Sequence, residues 1–158
     1  MNLPTESQKE LMTSWRHDLH THPELGFQET RTSKMVSQLL ISFGLKVFEN
    51  FGKTGVVGLL ERNSNKKSIA IRADMDALPI TEETILPYKS KNVGVMHACG
   101  HDGHTASLLG AAKFLSEDES FDGNVLFIFQ PDEENGGGAQ AMIDQGLFKK
   151  FDINEIYA

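Results

Sequence analysis

Apolar residues recur along this chain at two spacings, one typical of amphipathic helices and one typical of buried strands. Side chains from Leu11 to Leu19 lie at helical intervals, which predicts a helix over about 6–20 that ends before His22-Pro23. The same helical spacing predicts further helices over about 28–43, 104–116 and 139–145.

Short apolar runs between these helices predict the strands of one sheet. The runs cover about 45–48, 55–61, 68–72 and 124–130, with turn-forming residues at 63–67. The run NVLFIFQ is almost continuously apolar, which predicts a strand buried on both faces, and the closing INEIYA begins like another strand. Strands that alternate with helices indicate an α/β fold, with a mainly parallel or mixed sheet flanked by helices.

A long polar segment at 73–103 separates two of the predicted elements, and a loop of that length in a compact domain is usually functional. Two acidic motifs directly follow strands, ADMDALP at 73–79 and PDEE at 131–134. Between them, MHACGHDGH at 96–104 contains the single cysteine. Because ligands bind at the carboxyl ends of parallel strands, we expect the three motifs to meet in one crevice. Their thiol, imidazole and carboxylate groups predict a site for cations such as Zn²⁺ or Mn²⁺.

Each motif also has an ordinary structural explanation. Cys99 could be a buried structural cysteine beside a histidine that caps a helix. The paired glutamates could lie in a solvated turn, and the two aspartates could stabilise a bend at the end of a strand. One metal site accounts for all of them together, whereas the structural explanations need separate coincidences. A nucleophilic cysteine would leave the carboxylates without a role. A nucleobase-deaminase zinc site needs a second cysteine, and the sequence has one.

Composition narrows the classes of partner and the location. A length of 158 residues is about one domain's worth. The net charge of −7, without a basic tract, argues against nucleic acid and anionic membranes as partners. The first residues lack the pattern of a signal peptide, and no apolar run is long enough to span a bilayer. A single cysteine is typical of a reducing compartment, so the predicted location is cytoplasmic.

Four segments together resemble the M20 metallopeptidase clan, in particular its branch of amidohydrolases that act on N-acyl amino acids. The segments are RHDLHTHPELGFQET, IRADMDALPI, MHACGHDGHTA and FIFQPDEENGGGAQAMIDQGLF, and they occur in the family's order from about residue 14 onward. That branch includes hippurate hydrolases, aminoacylases and auxin-conjugate hydrolases. The resemblance implies a zinc-exopeptidase-like catalytic domain, a small N-acyl amino acid as substrate, and two divalent ions. Zn²⁺ or Mn²⁺ is expected, with Co²⁺ or Ni²⁺ as alternatives.

The resemblance also implies roles for individual residues. Metal ligands are expected at three positions: Cys99, His101 and Glu134. Glu133 corresponds to the general base, which takes a proton from water and delivers it to the leaving amine. Asp76 corresponds to an aspartate that orients a metal ligand without contacting the metal itself.

Several neighbouring residues have less definite roles under this resemblance. Asp74 stands where relatives outside the branch have a histidine ligand, and its role is left open. His104 is expected to support the site or to begin a helix rather than to bind metal. Asp132 stands where relatives often have alanine, and its charge is expected to raise the pKa of Glu133. Support or packing, without metal ligation, is expected for three histidines near the start: His17, His20 and His22.

The resemblance finally implies that residues 1–158 correspond to the N-terminal part of the catalytic domain. In the family, two further histidine ligands, a dimerisation domain and the rest of the catalytic domain come from later in the chain, and the full-length proteins are homodimers. Three hypotheses follow. The chain is an incomplete form of a metal-dependent amidohydrolase, or it is an inactive remnant that binds at most one metal ion or acts only with another chain. A peptidase or another activity of the clan is a third alternative.

Overall fold

The computed structural model describes residues 4–62 and 67–158, and its elements follow the predicted order. The elements are α1 (Glu6–Thr21), α2 (Thr30–Ser42), β1 (Lys46–Phe51), β2 (Gly55–Arg62), β3 (Ser68–Asp74), α3 (His101–Glu117), β4 (Gly123–Gln130), α4 (Gly138–Asp144), α5 (Leu147–Lys150) and β5 (Glu155–Tyr157). Every predicted helix and strand is confirmed, with ends that differ by about three residues or fewer. The predicted turn at 63–67 lies almost entirely outside the described residues.

The strands form a mixed five-stranded sheet in the order β1-β2-β4-β3-β5. Strand β3 is parallel to both of its neighbours, β4 and β5, whereas β2 is antiparallel to both β1 and β4. The sheet is therefore mixed rather than mainly parallel. The physical reason lies in the connection between β1 and β2, because a turn of a few residues joins only antiparallel strands.

The central strand β4 is buried on both faces, as its apolar sequence predicts. Val125, Phe127 and Phe129 pack with the apolar side chains of α1, α2 and α3. Leu126 and Ile128 point to the opposite face, where they pack with apolar residues of α4, α5 and the segment after them. Because successive side chains of a strand alternate between faces, an uninterrupted apolar run is the sequence of a strand between two cores.

The parallel pairing of β3 with β4 sets the position of the candidate site. Asp74 lies opposite Gln130 in the register, so the segments that follow the two strands leave the sheet side by side. The long segment after β3 is irregular, as expected, and is tied down by bridges from Ala77 to Leu25 and from Leu78 to Met96. In the part of the chain that the structure describes, no helix has the length and apolarity that crossing a membrane requires.

Candidate metal centre

The three motifs meet at this edge of the sheet. One ligand atom from each of Cys99, His101 and Glu134 lies within 4.8 Å of the other two. His101 is buried, Glu134 is partly buried and Cys99 is exposed. The cluster is therefore enclosed by protein on the side of His101 and open to solvent on the side of Cys99. The structure brings together the three residues for which the family resemblance implies metal ligation.

His101 is held in the orientation and tautomer that a metal ligand needs. It is the first residue of α3 and follows Gly100, whose φ of 90° is a left-handed conformation that suits glycine. The ring nitrogen Nδ1 donates to the backbone carbonyl of Asp76 at 2.9 Å. Because a carbonyl can only accept, this bond places the proton on Nδ1. The lone pair on Nε2 is therefore free, and Nε2 lies 3.8 Å from Glu134 Oε1. The helix begins three residues before the predicted start at His104.

Asp76 connects two of the candidate ligands. Its side chain is buried, Oδ2 accepts the backbone N–H of Glu134 at 3.0 Å, and Oδ1 lies 3.3 Å from His101 Nδ1. Burial by itself raises the pKa of Asp76. Hydrogen bonds from His101 and from the backbone of Glu134 and Glu133 outweigh that effect and lower the pKa overall. Asp76 is therefore a buried anion in contact with both the imidazole and the turn that carries the two glutamates.

The donor set fits a divalent cation of the zinc type. Glu134 Oε1 is buried, and within the described residues nothing donates a hydrogen bond to it. An unpartnered buried carboxylate oxygen is costly unless it meets a cation. The carboxylate of Glu134 raises the pKa of the neighbouring Cys99 thiol. A metal would therefore have to displace a thiol proton, which makes binding weaker at low pH. Thiolate, imidazole and carboxylate together suit Zn²⁺ and related ions.

Glu133 lies on the open side of this cluster. Its side chain is 42% exposed, and Oε2 lies 3.8 Å from His101 Nε2. In contrast to Glu134, it reaches water and is not enclosed by protein. A carboxylate placed beside a cation site and open to solvent is positioned to exchange a proton with a water molecule.

A second group of residues could also hold a cation and shares His101 with the first. Ligand atoms of Asp74, His101 and His104 lie within 4.8 Å of one another. Here, however, the carboxylate already has partners, because Asp74 Oδ1 bonds His104 Nδ1 at 2.7 Å and Oδ2 accepts from Arg72 at 2.9 Å. The satisfied carboxylate favours the group that contains Cys99 as the cation site. His104 then supports the site through Asp74.

The histidines near the start of the chain belong to neither candidate ligand group, and they contact residues that adjoin the site or pack beside it. Buried His20 bonds Asp102 Oδ2 through Nδ1 at 2.7 Å and approaches Glu82 Oε1 through Nε2 at 3.3 Å. Arg16 adds an ion pair of 2.8 Å to the same oxygen of Asp102, the residue that follows His101. His17 stacks on a tyrosine ring, and His22 bonds a backbone carbonyl of α1. These contacts agree with the expected packing roles.

One buried histidine has no role that the sequence suggested. His97 is 4% exposed, and neither ring nitrogen has a hydrogen-bond partner among the described residues. Burial lowers its pKa to about 4, so the ring is neutral at pH 7. His97 lies within the motif at 96–104, but neither the motif nor the family resemblance gave it a role of its own.

Gly26, in the segment RHDLHTHPELGFQET, allows a close approach to the turn that carries the glutamates. A Cβ built on Gly26 would overlap the Asp132 carboxylate and lie 2.8 Å from its Cγ. We expect Gly26→Ala to displace Asp132 and to destabilise the protein by about 1–3 kcal/mol, as overpacking does. Denaturant unfolding measures this change. Gly103→Ala is the control, since nothing lies within 4 Å of its added Cβ and alanine favours a helix. Equal stability of the two variants would contradict the prediction.

Comparison with known proteins agrees with this geometry. The model of peptidase family M20/M25/M40 matches residues 70–158. A hippurate hydrolase of Campylobacter jejuni is 57% identical over 90% of the chain, and an N-acyl-L-amino acid amidohydrolase of Geobacillus stearothermophilus is 48% identical over 89% of it. The chain spans 37% and 38% of the lengths of these two proteins.

Solved structures of two relatives superpose closely on the chain. A Bacillus subtilis protein described as a dinuclear metal binding peptidase from the M20 family gives a TM-score of 0.90 at 41% identity, over 96% of this chain and 43% of that one. A putative aminohydrolase of methicillin-resistant Staphylococcus aureus gives the same TM-score at 42% identity, over 96% of this chain and 40% of that one. The family model covers more than half of the chain, and the fold and the motifs agree with it, so the chain belongs to peptidase family M20/M25/M40.

Proposed function

We propose that the chain forms part of a metal-dependent hydrolase that cleaves the amide bond of small N-acyl amino acids. The observation that carries this proposal is the cluster of Cys99, His101 and Glu134 with Glu133 at its open side. The identities of 57% with a hippurate hydrolase and 48% with an N-acyl-L-amino acid amidohydrolase support the reaction and the class of substrate.

Two divalent ions, Zn²⁺ or Mn²⁺, are the proposed cofactors, in keeping with the dinuclear relative from Bacillus subtilis. Cys99, His101 and Glu134 would hold metal in this chain. When bound, such ions lower the pKa of water and polarise a carbonyl group. Three protein ligands are too few for two ions, each of which takes about four or more. This shortfall is consistent with a chain that spans 37–38% of its relatives' lengths, with further ligands in the rest of the protein.

In the proposed reaction, Glu133 would transfer the proton and Asp76 would hold other residues of the site in position. Glu133 accepts a proton from the attacking water while the oxygen of that water bonds to the acyl carbon. Glu133 then delivers that proton to the amine nitrogen as the carbon–nitrogen bond breaks, so one water and one amide give one carboxylic acid and one amine. Asp76 keeps His101 in its tautomer and holds the backbone of Glu134.

Hydrolysis of hippurate by the intact protein tests the proposal. Protein treated with a chelator is expected to be inactive and to recover activity on addition of Zn²⁺ or Mn²⁺, because both the water and the carbonyl need the cation. Release of glycine is the measurement, and N-acetyl amino acids and dipeptides serve as comparison substrates. Faster cleavage of dipeptides would favour a peptidase. Absence of hydrolysis from fully metal-loaded protein would contradict the amidohydrolase proposal.

Residues 1–158 studied as a separate chain test the alternative of an inactive remnant that binds at most one metal ion. With the three ligands that the structure groups together, we expect this chain to bind at most one ion per molecule and to release no glycine. Metal content by mass spectrometry and the same glycine assay provide the measurement. Binding of two ions with turnover would show that the missing ligands are not needed.

A further inference from the structure

Glu29 is a fully buried carboxylate outside the metal cluster. It lies at the N-terminal boundary of α2, where acidic side chains usually face solvent and cap the helix. Its exposed fraction is 0%, and its side chain makes no capping bond. Glu24 does that work instead, by accepting the backbone N–H groups of Arg31 at 3.0 Å and Thr32 at 2.8 Å. The carboxylate of Glu29 is thus free for another role.

That carboxylate contacts the turn after β4. Glu29 Oε1 accepts the backbone N–H of Asp132 at 2.9 Å, and Oε2 accepts the hydroxyl of Thr54 at 2.5 Å. Burial raises the pKa of Glu29 above its usual range, and these hydrogen bonds offset only part of that effect. A carboxyl group that is removed from water and costly to bury thus bonds one hydroxyl and one backbone amide, and the amide lies two residues from a candidate metal ligand.

The turn that receives this bond has an unusual backbone. Asp132 is a non-glycine residue with φ of 47°, a left-handed conformation that surrounding contacts must maintain. Its carboxylate accepts from Asn135 at 2.6 Å, and its carbonyl accepts from Gly138 at 3.1 Å. These bonds close a tight turn with Glu133 and Glu134 at its tip. The bond from Glu29 fixes the point at which the turn leaves β4.

Two buried carboxylates therefore hold the turn on either side of Glu133. Glu29 accepts the N–H of Asp132, and Asp76 accepts the N–H of Glu134 at 3.0 Å. The two carboxylates come from different elements, one from the start of α2 and the other from the segment after β3. A backbone held at both points cannot rotate Glu133 away from the cluster without breaking a hydrogen bond to a buried carboxyl group.

We infer that Glu29 is a positioning residue, which holds the Asp132–Glu134 turn so that Glu133 and Glu134 face the metal cluster. The inference rests on the proposed function for the consequence in catalysis, and on the contacts of Asp132 for the geometry. Displacement of reacting groups by about 1 Å costs on the order of 100-fold in rate. Loss of a contact that holds the turn in place is therefore expected to lower kcat.

Substitutions of Glu29 that keep or remove the acceptor test the inference. Glu29→Gln keeps an oxygen for the Asp132 N–H, whereas Glu29→Met keeps the length of the side chain and has no such oxygen. In the intact protein we expect Glu29→Gln to retain kcat within about threefold. Glu29→Met is expected to lose about 10- to 100-fold in kcat, the range seen when groups behind metal ligands are removed, with a smaller change in KM.

Two further measurements report on the position of the turn and do not depend on catalysis. Amide hydrogen exchange at Asp132 is expected to be faster in Glu29→Met than in Glu29→Gln, since the acceptor is gone. The absorption spectrum of the Co²⁺-loaded protein is expected to change in Glu29→Met alone, because Glu134 shifts relative to Cys99. Val36→Ala, a core change in the same helix α2, controls for general destabilisation and is expected to alter neither signal.

The outcomes separate this inference from the proposed function. Wild-type protein that fails to hydrolyse hippurate would overturn the function, while exchange and Co²⁺ spectra would still test Glu29. If Glu29→Met does not fold, Glu29→Asp serves in its place, because its carboxylate is one methylene too short to reach Asp132. Unchanged exchange, spectrum and kcat in a folded Glu29→Met or Glu29→Asp protein would overturn the inference. So would a loss in Val36→Ala equal to that in the Glu29 variant.

Discussion

Glu133→Gln in the intact protein is expected to remove most of the turnover while metal binding stays nearly unchanged. Glutamine cannot accept a proton from water at neutral pH, and general acid–base catalysis contributes about 10²- to 10⁴-fold to such rates. We therefore expect kcat for hippurate to fall by about that factor. The ligand atoms of Cys99, His101 and Glu134 are untouched, so titration with Zn²⁺ is expected to give an affinity within a few-fold of wild type.

A matched control for this variant is Glu119→Gln, an isosteric change at an exposed position outside the site. It is expected to leave kcat and metal affinity as they are. If Glu133→Gln kept kcat within about threefold of wild type, the base would have to be another group. If Glu133→Gln lost its metal along with its activity, Glu133 would be a ligand, and its role would have to be exchanged with that of Glu134.

Cys99→Ala and His104→Ala decide which of the two overlapping groups holds the cation. His101 belongs to both groups, whereas Cys99 belongs to one and His104 to the other. We expect Cys99→Ala to weaken Zn²⁺ binding by more than about 100-fold, beyond the loss caused by changes behind a ligand. We expect His104→Ala to weaken it by less than about tenfold, because that ring supports the site through Asp74.

Calorimetry with Zn²⁺ measures both affinities, and Co²⁺ absorption gives an independent signal. A thiolate ligand to Co²⁺ produces an intense near-ultraviolet band, which Cys99→Ala is expected to abolish and His104→Ala to preserve. The reverse pattern would assign the cation to the group of Asp74, His101 and His104. Equal losses in the two variants would indicate that the two groups bind ions together.

The sequence was sufficient to predict most of the fold because its apolar pattern is locally consistent. The run at 124–130 identified the central strand, since only a strand between two cores is apolar on both faces. The balance of parallel and antiparallel pairs was harder to predict. It depends on how β2 joins the sheet beside β4, whose paired residues lie 61–73 residues later in the chain, and no local pattern encodes that pairing. The four-residue helix α5 is too short for a period to show.

The meeting of the site segments was predictable for a different reason, which is that two of them directly follow strands whose carboxyl ends coincide, whereas the individual ligands were implied only by the family resemblance. Asp76 and Glu134 lie after β3 and β4, and the register places Asp74 beside Gln130. Glu29 was not predictable from spacing, because an acidic residue at the start of a helix normally faces water. Its burial depends on a partner 103 residues away, and the bond from His20 to Asp102 spans 82 residues.

These long-range bonds have a consequence for how the molecule folds. The segment 16–30 contacts all three site segments, through Leu25 to Ala77, His20 to Asp102 and Glu29 to Asp132. Each contact closes a large loop of chain, and the entropy of closure must be offset before the contact contributes any stability. We therefore expect the site segments to take their final shape only as the native long-range packing forms. We expect cation affinity to develop in the same slow kinetic phase as native packing, with chain collapse preceding both.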